Sequence, residues 1–285
     1  MIRLVTVIGH GIELLPHFIN HYKNYVDEIQ LVIYETDLYP SLTKDVKDAI
    51  KEFDFVKIVN VTKDRKFDWE KVTFLYNKAK SEHKDDWWVV ADIDEFHLYP
   101  NDSLEKLIND CEENGWLLVR GGFIDRIGVN GDFPQIKPKT NIFKQFPTMG
   151  FFRYPMSKAC PNKVCVMKGF IEITSGQHYA KLDGHTTWKW QGWGHPLIAP
   201  ISSHTVQVHH FKWDETSIDR IKSVASINQT YAYSEEYRKM YKELAKLKFK
   251  FDLKDPEFMF EKSDGQAEYR RYRQWNKLIN KITSI

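Results

Sequence analysis

An apolar run, Trp87-Trp88-Val89-Val90-Ala91, ends directly in Asp92-Ile93-Asp94-Glu95, which places three carboxylates within four residues. Like charges massed this closely repel one another unless a positive group joins them. A hard divalent cation with oxygen ligands, Mn²⁺ or Mg²⁺, is the simplest partner, and it would also bridge the phosphates of a substrate. In an extended segment Asp92 and Asp94 leave the same face while Ile93 turns to the other. Asp94 can then hold the metal, and Asp92 the metal or a ribose hydroxyl. A third ligand has to return from a distant strand, and His209-His210 is placed to supply it. Neighbours in a strand face opposite sides, so only one of the two can serve. His210 is preferred and His209 is the alternative. Lys212 could neutralise a diphosphate as a point charge, whereas His97 follows the acidic cluster too closely to act as a ligand.

The elements that must position these residues can be read from periodicity. Over the first 125 residues, apolar β-branched runs alternate with amphipathic segments: strands at 2–8, 29–34, 56–61, 87–91 and 116–119, helices at 13–25, 44–53, 69–82 and 104–113. This alternation predicts an α/β fold with a mostly parallel central sheet flanked by helices. Ligands of such sheets bind outside the carboxyl ends of the strands. The expected nucleotide walls are therefore His10, Tyr34 and Glu35, with Tyr34 stacking on a base and Glu35 accepting from a base N–H.

From Gly121 to Pro200 the periodicity breaks down, and Gly, Pro, Trp and His accumulate. Irregular stretches of this length are functional or disordered, and the aromatic density argues against disorder. Trp188, Trp190 and Trp193 alternate as a stacking platform for a sugar would, or as the closure of a small core. His178 and His185 share the region and could line an acceptor site. Alternation returns at 203–211, after which Asp214 reads as the N-cap of a helix. Residues 233–285 read as two amphipathic helices, the first with a stripe of Tyr237, Met240, Tyr241 and Leu244, the second with Tyr272, Trp275, Ile279 and Ile282. This tail carries 13 Lys and Arg against 9 Asp and Glu. Such helices pack on the domain or offer a peripheral foothold on an anionic membrane.

Bulk composition narrows the classes. The 41 Lys and Arg balance 39 Asp and Glu, which argues against a nucleic-acid partner. Three cysteines, Cys111, Cys160 and Cys165, give neither a disulfide framework nor a metal-ligand spacing. No run reaches the roughly 18 apolar residues of a membrane span. The opening MIRLVTVIGHGIELL lacks a basic region followed by a long apolar run and a cleavage site. The expected place is the cytoplasm.

WVVADIDEF, residues 88–96, resembles the Asp-x-Asp-Glu-Phe signature of family-2-like glycosyltransferases with the GT-A fold, in the subgroup without membrane spans. Three further stretches are similar to that family: Leu15-Pro16-His17-Phe18-Ile19-Asn20-His21-Tyr22, Gly122-Phe123-Ile124-Asp125-Arg126 and His209-His210-Phe211-Lys212-Trp213. Together they cover roughly residues 1–225, although His10-Gly11-Ile12-Glu13 departs from the Asn-Glu usual after the first strand. The resemblance implies a GT-A domain over 1–232, with a nucleotide-binding half to 125 and an acceptor half beyond, and 233–285 packed on it. It also implies metal-dependent, inverting transfer of a sugar from a nucleotide sugar, a UDP-sugar by preference, to a glycan or lipid-linked acceptor, as in polysaccharide biosynthesis. An inverting transfer needs a base. Asp125, next to Arg126, and Asp183, about where GT-A enzymes place theirs, are carried for it, with Glu172 as a third candidate. The alternatives are a metal-dependent phosphohydrolase, which wants a denser His/Asp set, and a non-catalytic glycan-binding protein.

Overall fold

A strand covered by helices on both faces is apolar along its whole length, and β1 (Ile2–Ile8) and β2 (Glu28–Thr36) are buried in that way. In the computed structural model, which describes residues 1–157, 159–187, 194–226, 232–255 and 258, the two are joined through α1 (Leu15–Tyr22). Pro16 sits in its first turn, where a missing N–H costs no hydrogen bond. Helix α2 (Leu42–Ile50) leads to β3 (Val56–Asp64), and α3 (Trp69–Ser81) to β4 (Trp87–Val90). Asp68 caps α3 by accepting from the amides of Glu70 and Lys71. The four strands pair in parallel in the order β3, β2, β1, β4. Their carboxyl ends therefore fall on one edge of the sheet.

Beyond β4, antiparallel pairs extend the central sheet. After β5 (Glu95–Leu98) and α4 (Leu104–Asn114), capped by Ser103 and ended by Gly115 in the left-handed region, the chain enters β6 (Leu118–Ile127). Expected as a four-residue strand, β6 is ten residues long and runs through Gly121 to Ile127. Its end pairs antiparallel with β7 (Thr148–Gly150) and its start pairs antiparallel with β8 (Asn162–Lys168), which also lies antiparallel to β4. The sheet is thus mixed. β6 tolerates no side chain at Gly121: a Cβ there would stand 2.4 Å from the Cys165 sulfur and 2.6 Å from the Val206 carbonyl. β8 was hidden in the irregular stretch because its buried run opens with two polar residues, Asn162 and Lys163.

The chain divides into two compact units, one of Met1–Gly122 with Asn162–Val208, the other of Phe123–Pro161 with His209–Ile285. The first holds the parallel strands, β5, β8 and a small antiparallel sheet of β9 (Glu172–Ile173), β10 (Ala180–Leu182) and β11 (His185–Thr186). Its core gathers Val5, Val7, Tyr76, Trp88, Val90 and Met167, among others. The strand β12 (Val206–His210) begins in the first unit and ends in the second.

The second unit contains α5 (Ile142–Gln145), α6 (Arg153–Ser157), α7 (Ser217–Ala225) and α8 (Ala232–Lys246). Asp214 does not cap α7. Its carboxylate accepts from the amide of Thr216 at 2.7 Å and so closes the turn ahead of the helix. Met240 and Leu244 of α8 are fully buried against Trp213, Ile221, Phe152 and Phe251, with Tyr237 and Tyr241 packed beside them. The expected apolar stripe of the first tail helix is therefore taken up by the unit's own core. Trp188, Trp190, Trp193 and the expected second tail helix lie outside the described residues. Among the described residues no helix is long and apolar enough to cross a membrane.

Candidate functional site

The acidic cluster follows β4 on the edge of the sheet where the parallel strands end. The segment is not extended, as its Asp-x-Asp spacing suggested. The Glu95 amide donates to the Asp92 carbonyl at 2.9 Å, and the Glu95 carboxylate takes the Asp92 amide at 3.2 Å. This four-residue turn has Ile93 and Asp94 at its centre, so the same-face argument for Asp92 and Asp94 does not hold.

What holds the turn lies elsewhere in the first unit. One Asp92 carboxylate oxygen accepts from the Tyr76 hydroxyl and from the Gln177 side-chain amide, both at 2.7 Å; the other accepts from the Lys163 ammonium at 3.1 Å. Lys163 also pairs with Glu95 at 2.8 Å and donates to the Gly176 carbonyl at 3.2 Å. Gln177 reaches Asp92 from a left-handed backbone, φ 55°, a conformation that costs free energy for a side chain of its size. Burial raises the Asp92 pKa, but the Lys163 charge and the hydrogen bonds from Tyr76 and Gln177 prevail and hold it below the ordinary value. Burial likewise opposes the Lys163 charge, and Asp92 and Glu95 outweigh it. Asp94 is 8% exposed. Lys163 thus offsets one of the turn's three carboxylate charges.

Sequence reasoning missed Tyr76, Lys163 and Gln177. A lysine opening the apolar run Val-Cys-Val-Met was the one available signal, because a charge so placed has to be paired.

The expected nucleotide walls belong to the same unit. His10 follows β1 and is exposed. Tyr34 is buried, its ring against Phe67 at 5.2 Å between centroids and its hydroxyl on Asp64 at 2.7 Å. Glu35 pairs with Lys63 and accepts from the Thr43 amide at 2.9 Å; these partners, Lys63 first, bring its pKa down to about 2. At the ends of β2 and β3 lies a cavity of about 350 Å³, lined by Glu35, Asp37, Lys63, Asp64 and Arg65 among others. On the acceptor side, His178 Nδ1 is bonded to the Asn162 carbonyl at 2.8 Å, and His185 stands exposed in β11. Asp183 occupies, with Gly184, the two-residue turn between β10 and β11. Both have positive φ, 48° and 74°, as the tight hairpin demands. Its carboxylate is 58% exposed and stands 3.4 Å from His195 Nε2. Glu172 pairs with Lys181 at 2.7 Å on the surface.

The remaining expected residues sit in the second unit. Asp125 lies inside β6, not beyond its end. One of its oxygens pairs with His210 Nδ1 at 2.8 Å and the other accepts the Arg153 amide at 2.9 Å, with Asp125 and His210 each 3% exposed. Burial raises the Asp125 pKa, and the bond to His210 with the nearby Arg153 more than offsets it. Arg126 donates from Nε to His209 Nδ1 at 2.9 Å. An arginine Nε–H can only donate and an ionised carboxylate can only accept. Consecutive residues of β6 therefore fix consecutive histidines in opposite forms: His210 carries its proton on Nδ1, and neutral His209 carries its own on Nε2. Lys212 donates to the Tyr237 hydroxyl at 2.7 Å.

Among the described residues, no three His, Cys, Asp or Glu side chains stand close enough to enclose a metal by themselves. The donor set nevertheless fits an ion that arrives with its substrate, because Mg²⁺ and Mn²⁺ are commonly held by one or two carboxylates together with phosphate oxygens and water. Asp94, at the centre of the turn, could supply one such carboxylate.

No family model matches the chain, and no curated protein matches it. Solved structures similar to it include a mannosyltransferase of Pyrobaculum calidifontis in complex with GDP-Man and Mn²⁺, at 12% identity and a TM-score of 0.40 over 98% of this chain and 84% of that one. TarS of S. aureus aligns at 12% identity and a TM-score of 0.33, over 97% of this chain and 48% of its own. A 4-diphosphocytidyl-2C-methyl-D-erythritol synthase aligns at 13% and 0.32, over 59% and 75%. These neighbours are transferases, but likeness this weak carries no argument about activity.

Proposed function

We propose that the chain is a GT-A-type glycosyltransferase that moves a sugar from a nucleotide donor to a hydroxyl acceptor with the help of one divalent cation. The observation that carries this reading is the acidic turn after β4, three carboxylates of which Lys163 offsets one, on the edge where the parallel strands end. Departure of a nucleoside diphosphate builds negative charge on its oxygens, and a bound Mn²⁺ or Mg²⁺ would stabilise that charge.

The chain's own residues take the following parts. Asp94 would hold the ion. Asp92, fixed by Tyr76, Gln177 and Lys163, would direct a remaining lone pair to a ribose hydroxyl. The cavity beside Glu35 and Lys63, with His10 near the end of β1, would receive the nucleoside, in the first instance uridine. Asp183 is the better candidate for the base: it is exposed, whereas both oxygens of Asp125 are engaged. As an ionised carboxylate it would take the acceptor's proton while the hydroxyl attacks the face opposite the leaving group, inverting the configuration. His178 and His185 would line the acceptor, a glycan or lipid-linked sugar, and Trp190 and Trp193 would supply its stacking faces.

A two-metal phosphohydrolase is less well supported, because Lys163 already compensates one of the three carboxylates. The test is to incubate the protein with Mn²⁺ and a panel of sugar nucleotides, with and without glycan acceptors. Nucleoside diphosphate release that rises with one acceptor is expected. Phosphate release from simple esters, or no release with any pair, overturns the reading.

A further inference from the structure

Asp183 stands at the tip of the hairpin between β10 and β11, with its carboxylate 58% exposed. A carboxylate so placed has several rotamers open to it, and a general base acts only when one oxygen is held within reach of the proton it takes. His195 supplies a fixed neighbour. Its side chain is 10% exposed, and its Nε2 lies 3.4 Å from Asp183 Oδ2. The ring is itself secured: Nδ1 accepts the Leu197 amide at 3.2 Å, and the His195 carbonyl takes the Ile198 amide at 3.0 Å. The same turn is tied to the central sheet, because the Leu117 amide donates to the Leu197 carbonyl at 2.8 Å and the Ala199 amide to the Leu118 carbonyl at 2.9 Å. A ring nitrogen that accepts an amide carries no proton. Nε2 is therefore the N–H of neutral His195, and it is the nitrogen beside the carboxylate. At 3.4 Å the pair is looser than an ordinary hydrogen bond, as catalytic pairs commonly are before substrate binds. Oδ1 of Asp183 has no hydrogen-bond partner among the described residues.

We propose that His195 is the positioning residue of Asp183: its Nε2–H holds Oδ2 so that Oδ1 is presented to the acceptor hydroxyl. The inference rests on the reading of Asp183 as the base. In the transfer the acceptor O–H bond breaks and its proton passes to Oδ1. The hydroxyl oxygen bonds the sugar carbon, and the nucleoside diphosphate leaves with the electron pair of the broken glycosidic bond. His195 neither gains nor loses a proton in this step.

The test compares wild type, His195→Phe and His195→Gln in the sugar-nucleotide assay, and repeats His195→Phe in an Asp183→Asn background. His195→Phe keeps a flat ring without the donor, and should lower kcat about 10–100-fold with the donor KM unchanged. His195→Gln, whose side-chain amide can donate again, should keep kcat within about threefold of wild type. In the Asp183→Asn background His195→Phe should change kcat by less than about twofold, since no base remains to be positioned. An unaltered kcat in His195→Phe, or the same loss in both backgrounds, would assign His195 a packing role and overturn the proposal. Should His195→Phe fail to fold, His195→Gln and His195→Asn decide, because only the longer amide reaches the place of Nε2. Activity kept by Gln and lost by Asn supports the proposal, and equal kcat in the two overturns it. A wild type without turnover on any donor and acceptor removes the proposed function and this inference together, whereas turnover indifferent to His195 removes the inference alone.

Discussion

Replacing Asp125 by Asn separates a structural carboxylate from a catalytic one. Asp125 accepts two hydrogen bonds inside β6, from His210 Nδ1 at 2.8 Å and from the Arg153 amide at 2.9 Å, with almost no exposure. The amide of an asparagine can accept one of them through its oxygen, but its NH₂ then faces the other donor and leaves it unpaired. Hydrogen bonds to a charged group contribute about 1.5–3 kcal/mol each, and a buried donor left unsatisfied costs about 1–3 kcal/mol. We therefore expect Asp125→Asn to lose about 3–4 kcal/mol of unfolding free energy, measured by urea denaturation. The shift of the folded pKa below the ordinary value carries a sign: wild-type stability from this group is complete above pH ~4 and is lost as pH falls further, so the two proteins converge in acid. Long-range ¹H–¹⁵N spectra above the imidazole pKa range supply an independent readout: Nδ1–H at His210 and Nε2–H at His209, the first disturbed in the variant and the second retained. A loss below about 1 kcal/mol with unchanged histidine spectra would refute the reasoning and return Asp125 to the candidates for the base.

If Asp94 holds the ion as proposed, Asp94→Asn should lower nucleotide release by at least about 10³-fold while shifting Tm by only a few degrees; near-normal turnover in a well-folded variant would remove Asp94 from the site. Asp183→Asn, at an exposed hairpin tip, should reduce kcat about 10²–10⁴-fold with the donor KM unchanged, and an equal loss of donor affinity would argue against a base. For Glu35, whose pKa falls to about 2 beside Lys63 and Thr43, stability from the pair is complete above the unfolded pKa and disappears as pH drops towards 2. Urea midpoints of Glu35→Gln and wild type should therefore differ at pH 6 and meet near pH 2, and a constant gap would deny the pair its charge.

How far the sequence discloses the molecule follows from where each residue's partners lie. The four parallel strands were legible to within a few residues because their burial is local and uninterrupted, as in Ile2–Ile8 and Trp87–Val90. β8 was not, because Asn162 and Lys163 open it with polar atoms whose partners come from other segments. The same distance effect governs Asp125 and Arg126. Placed side by side, they suggest a salt bridge, yet on β6 they turn to opposite faces and each takes a different histidine.

The acidic turn shows the effect on chemistry itself. Counting charge along Asp92-Ile93-Asp94-Glu95 gives −3 and invites metal to supply all of the compensation. Counting it in space brings in Lys163, which offsets one of the three. The local motif indicates that positive charge is needed at the end of β4, and Lys163 supplies part of it. A charge balance struck within a motif therefore omits groups that no local pattern ties to it, as β8 supplies Lys163 here.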